Sequence, residues 1–375
     1  MKIAVNCRLL IKNRLDGIGW FSYETLKRIT SNHPEHKFYF LFDRPFSEEF
    51  VFNNNITPLN IGFPARHPIL FYLWFEHAIP NVLEKLNPDV FLSTDGYLSL
   101  KTKVDSLPVI HDLNFEHFPK QLPYLTREYY KRFFPAFAKK AKRIATVSNY
   151  SKQDIHETYG IENEYIDVVY NGANASYKPC SEENKRKTRE KYSDGKPYFL
   201  FIGTLQPRKN LANLFLAFDQ FKNNTSNDIK LMIIGEKKWW TKEIRNAYEK
   251  MENRMDVIFK GHTAPSELKL IIPSALALTY VSFFEGFGIP IVEAMRSGTP
   301  VITSKSSSMP EVAGDAALLS DPFSVNSIAQ NMIVIASDIE LRKNLIAKGL
   351  ERAQKFTWDI TAEKLWHSIE KTIAL

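Results

Sequence analysis

The sequence predicts an α/β protein of two doubly wound domains, each a parallel sheet covered by helices, facing each other across a cleft. Three observations carry this. The chain has 375 residues, more than one hydrophobic core usually organises, so two domains of roughly 150 to 200 residues are expected. Short apolar runs alternate with helical patterns along the whole length, the signature of parallel strands joined by crossover helices. A polar, strand-free segment from Ser176 to Pro197 separates two such series and places the junction around residues 172 to 196. The domains read as residues 1–175 and 176–355, followed by a closing segment, 356–375.

In the first series, strands are expected near Ile3-Val5, Phe38-Phe42, Val90-Ser93, Pro108-Ile110, Arg143-Val147 and Asp167-Tyr170. The second repeats the arrangement at Tyr198-Ile202, Lys230-Ile234, Val257-Phe259, Ala275-Tyr280 and Pro300-Thr303. A helix after Asn210 is well marked, because Leu211, Leu214, Phe215, Phe218 and Phe221 recur at the spacing that lines one face. The polar segment carries the charge run Glu182 to Lys187 and reads as a linker or boundary helix. Open sheets of this kind bind ligands beyond the carboxyl ends of their strands, so the cleft is the expected site.

Composition narrows the function. Hydrophobic residues make up 44% and charged residues 24%, which excludes a collagen-like or wholly disordered chain. Cys7 and Cys180 stand far apart without ligand-spaced partners, so neither a disulfide framework nor a structural zinc site is expected. The chain goes from Met1-Lys2 directly into an apolar strand pattern, so no export signal is expected and the cytoplasm is the expected compartment. The charge-free run Leu270 to Phe284 falls short of the about 20 apolar residues a membrane span needs. Net charge is +7, a mild excess that favours anionic ligands. Nucleic acid is not expected as a partner.

Two strand-to-helix turns carry the chemistry. Phe284-Glu285-Gly286-Phe287-Gly288-Ile289-Pro290 leaves a strand, passes two glycines and enters a helix near Pro290. Backbone amides there can cradle an anion, the glycines letting it approach the main chain. Glu285 and Glu293 flank the cradle. Carboxylates repel a phosphate, so they are read as accepting hydrogen bonds from hydroxyls of the same ligand, as a sugar nucleotide would offer. On this pattern alone, a glycine turn with one capping and one solvated glutamate is the alternative. The second turn, Gly203 to Asn210, places the adjacent cations Arg208 and Lys209 at a helix start. Cations are the wrong sign there unless an anion joins them, and they can neutralise a leaving diphosphate.

At these residues the chain resembles the retaining glycosyltransferases of family GT4, which have the GT-B fold of two Rossmann-like domains and include bacterial mannosyltransferases and glucosyltransferases. The resemblance runs through Gly203 to Asn210, the Glu285–Glu293 pair, Arg296 to Ser304 and Pro310 to Leu318. Shorter matches lie at Gly17-Ile18-Gly19, Val109 to Leu113, Thr146 to Ser151 and Val169 to Gly172. The resemblance implies that Arg208 and Lys209 hold the donor diphosphate. It implies that Glu285 contacts the hexose, that Gly286, Phe287 and Gly288 serve sugar and phosphate through their amides, and that Glu293 binds the ribose. Gly17 and Gly19 resemble a loop that closes on the phosphate, and His111 resembles a ligand of the hexose. From the residues alone, His111 is as well explained by a bond to Asp112 or nearby backbone. Many relatives place an arginine where this chain has Thr204. The segment 356–375 resembles a helix that packs back on the N-terminal domain.

The implied reaction moves a hexose, mannose from GDP-mannose or another sugar from a UDP donor, to a glycan or lipid-linked acceptor in cell-surface polysaccharide synthesis. The resemblance implies attack from the face the diphosphate leaves, with that diphosphate taking the acceptor's proton. No Asp-x-Asp motif is present, so neither metal nor cofactor is expected. A non-catalytic nucleotide-sugar or glycan-binding subunit is the second reading, and a nicotinamide dehydrogenase a distant third. Phe63 to Phe75 is an aromatic, partly basic stretch, either acceptor-binding, as in relatives, or a buried helix with a loop. Arg127 to Arg143 interleaves cations with Tyr129, Tyr130, Phe133, Phe134 and Phe137. It reads as an interfacial helix making peripheral contact with an anionic membrane or as a solvated face over a core stripe.

Overall fold

The computed structural model describes residues 1–237 and 240–374. The chain forms two compact units: Met1–Gly172 joined by the helix Trp358–Ala374, and Ala173–Thr357. The chain passes between them twice. The polar segment is a helix, Glu182–Ser193, of the second unit. It is capped by Ser181 and tied down by Arg189 to the Ser274 carbonyl at 2.9 Å and by Tyr192 to Glu267 at 2.6 Å.

Unit 1 is a seven-stranded parallel sheet of β1 (Lys2–Asn6), β2 (Lys37–Phe42), β3 (Ile56–Asn60), β4 (Val90–Ser93), β5 (Ser106–Ile110), β6 (Ile144–Thr146) and β7 (Ile166–Val168). The spatial order is β3-β2-β1-β4-β5-β6-β7. Unit 2 has six parallel strands: β8 (Tyr198–Ile202), β9 (Lys230–Ile234), β10 (Val257–Gly261), β11 (Ala277–Tyr280), β12 (Val301–Ser304) and β13 (Leu318–Ser320), in the order β10-β9-β8-β11-β12-β13. Strands such as Ala277–Tyr280 and Val301–Ser304 are buried throughout, because helices cover both faces of a parallel sheet. In each sheet the direction of growth reverses once, between β1 and β4 and between β8 and β11. Connections part there on opposite faces and leave a crevice at the carboxyl edge.

Both sheets gain an edge strand beyond those expected, β3 and β13. β3 contains Pro58, tolerated because an edge strand leaves one row of amides unpaired. β13 is three residues long, too short for its apolar pattern to register.

The helix Leu211–Asn223 buries Leu211, Leu214, Phe215, Ala217, Phe218 and Phe221, the expected stripe. The Phe63 to Phe75 stretch is only partly core. His67 caps a helix, Pro68–Leu73, that buries Phe71 and runs into a wide π turn, Trp74–Ala78, burying Trp74 and Phe75. Ile69, Tyr72 and Leu73 remain exposed. The helix Tyr124–Lys140 buries Tyr129, Phe134, Phe137 and Ala138, and exposes Lys131, Arg132, Lys139 and Lys140. A basic face lies over a core stripe, an arrangement common to both readings. Among the described residues no helix is long and apolar enough to cross a membrane.

The helix Trp358–Ala374 belongs to unit 1, although all of unit 2 precedes it in the chain. It buries Trp358, Thr361, Ala362, Leu365, Trp366, Ile369 and Thr372 and packs on the helix Gly17–Asn32. Trp366 stacks on His33 with ring centroids 3.7 Å apart, and Arg28 reaches Asp359 at 2.8 Å. Leu365 is fully buried, so Leu365→Ala should lower the stability of unit 1 by about 2–5 kcal/mol. Urea unfolding followed by tryptophan fluorescence measures this, and a loss below about 1 kcal/mol would mean the helix is not part of the unit's core.

Candidate functional site

At the reversal point of the second sheet, the turns leaving β8 and β11 are bonded to each other. β8 is followed by Gly203, whose φ of +153° favours glycine. Gly235, following β9 at φ +147°, leaves no room for a side chain: a Cβ would lie 1.8 Å from the Gly203 carbonyl oxygen. The chain then makes a short turn at Pro207–Lys209, closed by Asn210 in the left-handed conformation at φ +61°. The Asn210 side chain donates to the carbonyls of Val281 at 2.9 Å and Pro322 at 2.7 Å. Phe283 donates its amide to the Arg208 carbonyl at 2.9 Å, and the Arg208 guanidinium donates to the Phe284 carbonyl.

This lacing brings Arg208, Lys209 and Glu285 together. One Glu285 oxygen pairs with Arg208 at 2.9 Å and the other with Lys209 at 2.6 Å. Lys209 also donates to the Tyr280 hydroxyl at 2.6 Å. Burial alone would push the Glu285 carboxyl up, but Arg208 and Lys209 hold it at about 2. Burial and the adjacent Glu285 charge drive the Tyr280 hydroxyl well above its ordinary value, so it stays protonated. Two cations share one carboxylate, which leaves the cluster with one net positive charge. Glu285 was expected to bind hydroxyls of a ligand; its oxygens also set the two cations, the desolvated carboxylate being stable only when paired.

The following turn is braced from behind. Ser308 donates to the carbonyls of Glu285 at 2.8 Å and Phe287 at 3.1 Å, and the Glu285 amide donates to Ser307 at 3.0 Å. Gly288, at φ +100°, precedes the helix Ile289–Arg296, and a Cβ there would touch Ile291 at 3.0 Å. The Phe287 side chain is buried edge-on against Phe356, centroids 5.5 Å apart, so only its backbone is available to a ligand. One turn into the helix, half-buried Glu293 accepts from the Tyr177 hydroxyl, and burial pushes its carboxyl up to about 7.

The other expected residues lie in unit 1, by the carboxyl ends of β1 and β5. Gly17 and Gly19 form no loop. They are the first turn of the helix Gly17–Asn32, because Asp16 caps it by accepting from the Gly19 amide at 2.9 Å. A Cβ on Gly19 would sit 3.2 Å from the Leu9 carbonyl oxygen, whereas Gly17 has open space. His111 is tied through Nε2 to the Thr94 carbonyl at 2.9 Å and meets the Phe21 ring edge-on. A carbonyl only accepts, so Nε2 carries the proton. Burial lowers the ring's pKa, leaving a neutral imidazole with Nδ1 as acceptor. Asp112 instead accepts from Asn114.

Tyr280, Tyr177, Gly235 and the Ser307-Ser308 brace escaped the sequence reading. One signal was available: Gly235 follows Ile234 as Gly203 follows Ile202, a glycine closing each of two neighbouring strands. Tyr280, the last residue of an apolar strand, reads as core.

Residues 181–352 match the family described as glycosyl transferases group 1, and residues 15–177 match glycosyltransferase family 4. The chain belongs to the GT4-like glycosyltransferases. It is 26% identical over 360 residues to the O-antigen chain mannosyltransferase B of Escherichia coli, covering 93% of this chain and 94% of that one. It is 28% identical to the O-antigen chain mannosyltransferase RfbU of Salmonella typhimurium over 68% of this chain and 67% of that one. The solved sucrose-phosphate synthase of Thermosynechococcus elongatus superposes with a TM-score of 0.80 at 16% identity, covering 100% of this chain and 99% of that one. Both units of this glycosyltransferase are therefore Rossmann-like domains of the GT-B type.

The glycosyltransferase's two glutamates respond oppositely to pH. The Glu285 carboxyl lies below its ordinary 4.5, so its contribution holds above that pH and fades as pH falls toward about 2. Glu293 titrates at about 7 when folded, against 4.5. The folded chain keeps a proton that the unfolded chain has released, so stability falls as pH rises from about 4.5 to about 7. Glu293→Gln should flatten that part of the curve. Chemical denaturation of both proteins at intervals between pH 4.5 and 8 tests this, and identical slopes would place Glu293 in water.

Proposed function

We propose that the chain is a retaining, metal-independent hexosyltransferase that moves mannose from GDP-mannose to a glycan or lipid-linked acceptor in cell-surface polysaccharide synthesis. The Arg208–Lys209–Glu285 cluster at the carboxyl edge of β8 and β11 carries the reading. Its surplus positive charge, held by a buried carboxylate and by laced turns, is where a nucleotide diphosphate gains most as its charge grows on leaving. The near-full-length match to an O-antigen chain mannosyltransferase supports mannose over another hexose from a UDP donor.

In this reading Arg208 and Lys209 hold the diphosphate, and the amides of Gly286 to Gly288 complete the cradle. Glu293, accepting from the Tyr177 hydroxyl, binds the ribose. Neutral His111 accepts a hexose hydroxyl at Nδ1, while Gly17 and Gly19 bring the amino end of a helix to the phosphate. The acceptor attacks the face that the diphosphate leaves, and the departing oxygen takes its proton. The protein supplies position and charge, with neither a metal nor a cofactor. Exposed Ile69, Tyr72 and Leu73 beside Lys131 and Arg132, on helices joined by the Tyr72–Phe133 ring contact, suit peripheral attachment to an anionic membrane surface on the cytoplasmic side.

Lys209→Met and Glu285→Gln should each lower kcat with GDP-mannose about a hundredfold or more. Both also cost stability, since each strands a buried charge or polar partner, so circular dichroism must first show the variants folded. Turnover should persist in excess EDTA, and NMR of the product should show the donor's anomeric configuration. Full activity in either folded variant would remove that residue from the site; rescue by magnesium after EDTA, or an inverted product, would overturn the mechanism.

A further inference from the structure

At the amino end of β2, on the edge of the first sheet opposite its carboxyl ends, the helix Gly17–Asn32 gives way to His33-Pro34-Glu35-His36. The chain reverses sharply there. His36 donates its amide to the His33 carbonyl at 3.2 Å, and Pro34 fixes the second position of the turn. His33 Nδ1 lies 3.9 Å and His36 Nε2 3.1 Å from the same Glu35 oxygen, Oε1. One nitrogen from each ring and a carboxylate oxygen thus lie within 4.8 Å of one another. The two imidazoles are within 8° of parallel, with centroids 6.1 Å apart. Both stack on the indole of Trp366, at 3.7 and 5.2 Å, so the helix Trp358–Ala374 sets their planes.

Two imidazoles and a carboxylate converging from one turn are a donor set for a borderline divalent ion. At bond lengths of about 2.0–2.2 Å, tetrahedral ligands stand about 3.3 Å apart. The present separations therefore close with side-chain shifts of about 1–1.5 Å. Burial lowers the pKa of His33, as do the neighbouring His36 and His367, against the pull of Glu35 and Glu370. The ring is thus neutral at pH 7, the form that binds metal. His36 Nδ1 faces the Met1 amino nitrogen at 3.1 Å. With an ion on Nε2, Nδ1 carries the ring's proton and donates it to that nitrogen, and the amine gives up one proton as the ion binds.

We propose that His33, Glu35 and His36 form a zinc site of unit 1, with water in the fourth position. The site lies at the edge away from the crevice of its sheet, and its ion takes no step of sugar transfer. It ties the turn between the helix Gly17–Asn32 and β2 beneath the indole of Trp366, and so fastens the helix Trp358–Ala374 to the unit it returns to. No cysteine takes part, so the spacing of Cys7 and Cys180 carries no sign of it.

The full chain, without an affinity tag and stripped with EDTA before dialysis, is titrated with zinc chloride by isothermal titration calorimetry. It should bind one ion with a Kd on the order of 10 μM. His33→Gln and Glu35→Gln should each raise that Kd about tenfold or more. Glu35 is exposed, so its replacement leaves the fold intact and keeps the test decisive if a histidine variant misfolds. His77→Gln and Cys180→Ser, which lie outside the turn, should leave the Kd unchanged. Copper(II) takes the same ligands more tightly and quenches an indole close to it. An equimolar amount should remove part of the tryptophan emission, and that part should be missing in Trp366→Phe and in Glu35→Gln. A native Kd weaker than about 1 mM, or one that either turn variant leaves unchanged, overturns the proposal. So does a Kd that shifts in His77→Gln or Cys180→Ser, which places the ion elsewhere, or copper quenching that survives Trp366→Phe.

Discussion

The arrangement of the second unit turns on one carboxylate. Glu285 is buried and shared between Arg208 and Lys209, and a charge so desolvated persists only with partners in place. The cations come from the turn after β8 and the carboxylate from the turn after β11, so the pairing fixes two loops at once. Asn210, spanning to Val281 and Pro322, and the Ser307-Ser308 brace hold the same two turns from behind. The outcome is a positive spot whose position depends on the sheet and not on the rotamers of free lysine and arginine side chains.

The sheet explains why these turns are neighbours. β8 and β11 are adjacent although two strands and their helices separate them in sequence, because the winding reverses between them. The crevice that a reversal opens is the only place on a parallel sheet where two carboxyl-end loops diverge rather than crowd. Gly235 answers the remaining steric demand: its backbone approaches the Gly203 carbonyl so closely that no side chain fits on it.

The first unit handles charge by the same rule with a different result. Arg8 and Arg44 are each matched by a carboxylate, and the histidine at the end of β5 is committed through one nitrogen to the Thr94 carbonyl. Asp16 occupies the amino end of the helix Gly17–Asn32, so the glycine pair that resembles a mobile loop is held as helix. Among the described residues the exposed cations Lys12, Arg14 and Arg66 carry no such partner.

Much of this protein was determined locally and is legible in the sequence. Continuous apolar runs such as Tyr198–Ile202 read as strands buried on both faces, the stripe from Leu211 to Phe221 reads as a helix with one buried face, and Glu285, Arg208 and Lys209 stand on turns whose glycines mark them. Edge strands β3 and β13 escaped, one interrupted by proline and one three residues long. Tertiary structure alone decided what those side chains do. That Glu285 faces two cations, that Glu293 loses enough water to titrate near 7, that Tyr280 turns its hydroxyl to Lys209 and that Arg8 and Asp43 both bond to Ala65 all depend on which strand ends lie side by side. Strand order follows from the packing of whole sheets and helices, a long-range balance that no short window of sequence contains.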